Sequence, residues 1–87
     1  MNKYMVVCTF QPGLAWEEVT AMVPEEMEVA KALEAEGILS AIRVSVARDK
    51  VFLEVVADDV DQATATVQRL PMSKWWELDL YQIAVPA

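Results

Sequence analysis

Histidine is absent from this chain, and cysteine occurs once, at Cys8. Without histidine there is no Ser–His or Cys–His nucleophile, no imidazole metal ligand and no ready switch near neutral pH. A lone cysteine forms no internal disulfide, and in a strand without a histidine nearby it reads as a buried core thiol. Two glycines are too few for a phosphate-cradling loop, so neither a cofactor nor a transition metal is expected; a carboxylate-only Mg²⁺ or Ca²⁺ site stays open, though no EF-hand-like acidic spacing appears. Proton transfer is left to Glu, Asp, Tyr, Lys or the substrate itself. Basic residues are also scarce: seven against fourteen acidic ones give a net charge of −7. That field repels phosphate backbones and anionic lipid surfaces, which argues against nucleic-acid and membrane roles. No apolar run approaches a membrane span, and no charged-then-apolar leader precedes the first strand. A reducing cytoplasm fits best.

What the chain does have is apolar side chains, 55% of its 87 residues. One domain over residues 1–87 is expected, with a core that is marginal by itself and an apolar excess that calls for a partner chain. Residues 3–10 read as a buried strand, closed by the Pro12-Gly13 turn. A helical pattern runs from about Trp16 to Glu36, with Pro24 as a kink or restart and Gly37 as the cap. Residues 38–47 and 51–57 read as strands joined by a tight turn at Arg48-Asp49-Lys50. Asp58 or Asp59 caps a second helix reaching about Leu70, where Pro71 stops it. Residues 76–85 alternate as a final strand.

The order β-α-β-β-α-β is that of the α+β ferredoxin-like fold: a four-stranded antiparallel sheet with two helices on one face. With a two-residue hairpin at Asp49-Lys50, Ile42, Val44, Val46, Val51, Leu53 and Val55 share the helix side. Arg43, Ser45, Ala47, Phe52, Glu54 and Val56 share the other side, with Tyr81 and Ile83 beside them. That second face is too apolar to stay wet, and no helix remains to cover it. A second copy of the sheet is the economical cover, so a homodimer, open to larger rings, is expected.

Glu26 stands out within this frame. At about 100° per residue, Val19, Met22, Val23, Ala30 and Leu33 surround it, while Glu17, Glu25 and Glu28 point away. A carboxylate on a face meant for packing is costly unless paired or protonated, and enzymes use that situation to raise an acid toward neutrality. The alternative is that Pro24 starts a new helix, so that Glu25 and Glu26 sit in a first turn that favours acids.

The stretch Leu70-Pro71-Met72-Ser73-Lys74-Trp75-Trp76-Glu77-Leu78-Asp79-Leu80, with Ile83-Ala84 beyond, resembles the ending of muconolactone isomerases. Counted back without a gap, Ala57-Asp58-Asp59-Val60-Asp61 falls on that family's acidic start to the second helix. Gly37 falls on its helix-ending glycine, and Glu26 on a family helix glutamate. The resemblance spans roughly residues 20–85 and implies a dimeric α+β barrel that moves a proton beside a lactone carbonyl without a cofactor. The departures are Thr64 where the family has a histidine, and no His-Pro after the last strand. The family's aromatic-arginine pair is only partly kept, at Ile42-Arg43.

The candidate catalytic residue is Glu26, as the carboxyl group that takes and returns a proton. Arg43 is a candidate for a substrate carboxylate or an enolate-like oxygen, against a diagonal cross-strand pair with Glu54. Trp16 and Trp75 are candidates for walling a pocket, against covering a dimer seam, and Tyr81 for a hydrogen bond to a small-molecule substrate. Trp76 reads as core. Three functions stand side by side: an isomerase or cyclase of a small carbonyl, lactone or polyketide-like compound; a cofactor-free monooxygenase of aromatic polyketides; and a non-catalytic ligand-binding or assembly protein. A buried Glu26 beside an open cleft supports the first. A Trp-lined cleft with no acid supports the second, and a cleft filled by side chains the third.

Overall fold

The computed structural model describes residues 1–84. Its elements are β1 (Asn2–Phe10), α1 (Trp16–Ala35), β2 (Leu39–Val44), β3 (Lys50–Ala57), α2 (Val60–Val67), a 3₁₀ helix (Pro71–Trp75) and β4 (Trp76–Ile83). The strands form one antiparallel sheet in the order β2-β3-β1-β4, the ferredoxin-like arrangement that the element order implies. The last expected position of the final strand, residue 85, lies outside the described residues.

Period-2 alternation decides which side of the sheet is buried. Tyr4, Val6 and Cys8 of β1 lie beside Val51, Leu53, Val55 and Ala57 of β3, all buried. Val19, Ala30 and Leu33 of α1 and Ala63 and Val67 of α2 complete that core. Among the described residues no helix is long and apolar enough to cross a membrane.

Helix α1 runs unbroken through Pro24, so Glu26 lies in mid-helix and not in a first turn. At its end Gly37 takes φ 76°. Its N–H donates to the Glu34 carbonyl (3.0 Å) and the Ile38 N–H donates to the Leu33 carbonyl (3.1 Å). This paired closure needs a left-handed residue, which glycine supplies without a Cβ clash. Asp59 is the residue that caps α2, its carboxylate accepting from the Gln62 N–H at 2.8 Å. That helix stops at Val67, three residues short of expectation, and the 3₁₀ helix fills the gap before β4.

The β2–β3 connection differs from the tight turn expected. Strand β2 ends at Val44, paired with Val51, and the loop runs through Ser45–Asp49. The Ser45 hydroxyl donates to Asp49 Oδ1 (2.9 Å) and accepts from the Lys50 N–H (3.1 Å). This network fastens a longer loop in which Arg48 takes φ 62°. The register slips by an even number of residues from the two-residue hairpin, so the side chains that stay in the strands keep their expected faces. Ser45, Val46 and Ala47 lie in the loop instead, and Val46, expected on the helix side, is fully exposed.

The helix-free face carries Met5, Val7, Phe52, Val56, Tyr81 and Ile83. Lys3 and Glu54 interrupt it with an ion pair at 3.2 Å. Glu54 therefore pairs with Lys3 across β1 and not with Arg43.

Candidate functional site

The apolar stripe of α1 is only partly covered. Val19, Ala30 and Leu33 are buried, while Val23 and Met27 on the same stripe stay exposed. Between them and β2 the helix stands off the sheet and leaves a cleft of two lobes. One lobe, about 200 Å³, lies among Val23, Glu26, Met27, Ile42, Leu53 and Leu70. The other, about 250 Å³, is bounded by Phe10, Trp16, Val19, Thr20 and Arg48. Val23, Val44, Val51 and Met72 line both lobes, so they belong to one groove on the helix side of the sheet. Its walls are mostly apolar, with a few polar groups placed among them, which is how small-molecule sites are built.

Glu26 is the acid of this cleft. Its side chain is half-buried, and Oε1 accepts a hydrogen bond from the Met72 N–H at 3.0 Å. Met72 sits in the first turn of the 3₁₀ helix, where backbone donors have no partner within the helix. The carboxylate thus caps a neighbouring element 46 residues away in sequence. Burial pushes its pKa above the usual carboxyl value, and the Met72 hydrogen bond pulls in the opposite direction without cancelling the rise. Cys8 feels both burial and the Glu26 charge, which together push its thiol up to about 12. A thiol so protonated and fully enclosed is packing material, not a nucleophile.

Trp16 opens α1 and lines the larger lobe, held edge-on to Phe10 at 5.2 Å between ring centroids. Phe10 also meets Trp76 edge-on at 5.9 Å, and Trp76 is buried as expected of a core residue. Its Nε1 is the single buried side-chain polar atom without a hydrogen-bond partner among the described residues.

The other candidates lie elsewhere. Trp75 ends the 3₁₀ helix, half-buried against the core under the Lys74 ammonium at 4.8 Å, and lines neither lobe. Arg43 and Tyr81 belong to the helix-free face: Arg43 stands opposite Phe52, and Tyr81 opposite Met5. The Arg43 guanidinium donates to the Ile42 carbonyl at 2.8 Å. Within one chain the sheet separates both residues from Glu26. Alternation along β2 and β4 already placed them there, and a role in the Glu26 site was inconsistent with it.

Arg48 is the cation that lines the cleft, and sequence reasoning missed it. It belongs to a turn, and a turn residue carries no periodicity to say which side of the sheet it joins. Among the described residues no three acidic or cysteine side chains gather as a metal site requires. No protein-family model and no curated protein sequence matches this chain.

Proposed function

We propose that this chain is a cofactor-independent isomerase or cyclase of a small carbonyl or lactone compound, working as a homodimer in a reducing, cytoplasmic setting. The observation that carries the reading is a half-buried carboxyl group, raised in pKa by burial, at the wall of an apolar cleft. In the reaction Glu26, ionised, removes a proton from a carbon beside the carbonyl. The C–H electrons move onto the carbonyl oxygen as an enolate, and Glu26 becomes the neutral acid. Isomerisation ends when Glu26 returns the proton to another carbon of that enolate. Cyclisation ends when the enolate carbon bonds to a second carbonyl, whose oxygen takes the proton. No electrons leave the substrate, so no oxidant is needed. Apolar walls assist by excluding water and holding the acid near the pKa that proton exchange needs.

The competing reading is non-catalytic binding, favoured by one observation: Oε1 is already committed to the Met72 N–H. Catalysis then falls to Oε2, which has no hydrogen bond among the described residues. The monooxygenase reading has less support, because the cleft holds an acid as well as Trp16.

The test follows deuterium. Lactones and ketones with an activated C–H are incubated with the protein in D₂O, and wash-in is read by NMR. Glu26-dependent exchange is expected, falling by roughly 10²–10⁴-fold in Glu26→Gln. Equal exchange in that variant, or none across the panel, leaves the binding reading ahead.

A further inference from the structure

The two lobes of the cleft differ in charge. One holds the acid Glu26, and the other is lined by aromatic rings and by Arg48. Arg48 makes no ion pair among the described residues. Its sequence neighbour Asp49 would be the natural partner, but Asp49 is engaged by the Ser45 hydroxyl at 2.9 Å and by the Lys50 ammonium at 3.2 Å. The guanidinium is therefore unpaired among the described residues, on an exposed residue that borders the cleft.

The backbone supports the same assignment. At φ 62° Arg48 sits in the left-handed region, which a Cβ disfavours. The loop holds it there through the Arg48 N–H donating to the Ser45 carbonyl at 2.9 Å, next to the Ser45–Asp49–Lys50 network. Asparagine or glycine would take this conformation more readily, so the arginine is not explained by the turn. Strain of this kind gathers where a side chain has to be aimed.

We propose that Arg48 anchors the carboxylate of a small, ring-bearing hydrophobic acid whose body fills the Phe10–Trp16 lobe. A planar guanidinium presents paired N–H donors matched to a carboxylate, and the neighbouring rings favour edge-on contact with another ring. Glu26 repels an anion from its own lobe and so sets the direction of binding. The charged end lies at Arg48 and the neutral, carbonyl-bearing end at Glu26. This ligand class rests on the cleft being the site, as above, but not on Glu26 performing chemistry.

Calorimetry with two probes separates the possibilities: 3-phenylpropanoate and its neutral amide, 3-phenylpropanamide. The carboxylate is expected to bind roughly 10–100-fold tighter than the amide, because a bidentate guanidinium–carboxylate pair outweighs a single bond from the same guanidinium to a neutral carbonyl. Arg48→Gln should erase that preference, weakening the carboxylate far more than the amide, and Arg48→Lys should keep part of it. Glu26→Gln removes a negative charge from the cleft and should keep or widen that preference, so loss of deuterium exchange in that variant would leave this assignment standing. Equal affinities for the two probes would overturn the proposal. So would a preference that survives in Arg48→Gln, or failure of both probes to saturate the protein at millimolar concentration.

Discussion

Glu26 carries two duties that substitution can separate. Glutamine keeps an acceptor for the Met72 N–H but removes the charge that burial penalises, whereas alanine leaves the donor orphaned. Glu26→Ala should therefore cost about 1 kcal/mol, the usual worth of a helix cap, in urea unfolding. The Gln variant has a pH signature. Because the folded state raises the Glu26 pKa, its stabilising contribution is complete below the ordinary value of 4.5 and is lost as pH rises through the folded value. Glu26→Gln should match the wild type in acid, gain on it as pH rises above about 4.5, and hold a constant advantage once the folded-state pKa is passed. A pH-independent difference would mean that the carboxyl is not desolvated. Cys8, pushed up to about 12 and enclosed, should ignore thiol reagents until the chain is denatured. Both residues were legible because each lies in a periodic segment. Arg48 was not, since its position depends on a loop network formed by Ser45 and Asp49. The long-range cap was hidden too, because nothing local joins residue 26 to residue 72.

At the scale of elements, the sequence was most informative where periodicity ran long. Strands β1 and β3 and helix α1 lie close to where their patterns put them. Gly37 and the acidic start of α2 mark helix boundaries through specific backbone hydrogen bonds. Asp59→Ala should cost about 1 kcal/mol for that reason. The 3₁₀ helix was not foreseen: Pro71–Trp75 is too short to show a period, and its end is secured from a distant part of the chain by Glu26. Pro24 reverses the usual inference, since α1 continues through it. It has no N–H to offer the Thr20 carbonyl, and an interior proline costs a helix about 3 kcal/mol. Part of that cost is offset by the stiffer unfolded chain. Pro24→Ala should accordingly stabilise the protein by about 1–2 kcal/mol in denaturant titrations. An unchanged midpoint would show that the neighbouring packing, with Val23 exposed at the cleft, depends on the proline.

For the whole molecule the unresolved balance lies on the helix-free face. Met5, Val7, Phe52, Val56 and Ile83 are too many apolar side chains to leave in water, an excess already visible in strand alternation. The charges on that face discriminate between ways of pairing two copies. Arg43 lies on the β2 edge, and Glu77 and Asp79 lie on the β4 edge at the opposite side of the sheet. A twofold axis across the strands would stack β2 on β2 and β4 on β4, bringing like charges together. A twofold axis along the strands lays β2 of one copy over β4 of the other, so Arg43 meets Asp79 twice. We expect a dimer at micromolar concentration in sedimentation, with the second geometry. Arg43→Glu and Asp79→Arg should each weaken it by about tenfold or more, since like charges brought together at an interface are costly. Combining the two reversals should restore association, because both contacts are re-formed with their signs exchanged. If neither single variant weakens the dimer, the axis runs across the strands, where each reversal only exchanges one like-charge pair for another. A stable monomer in the wild type would show that no second copy covers this face.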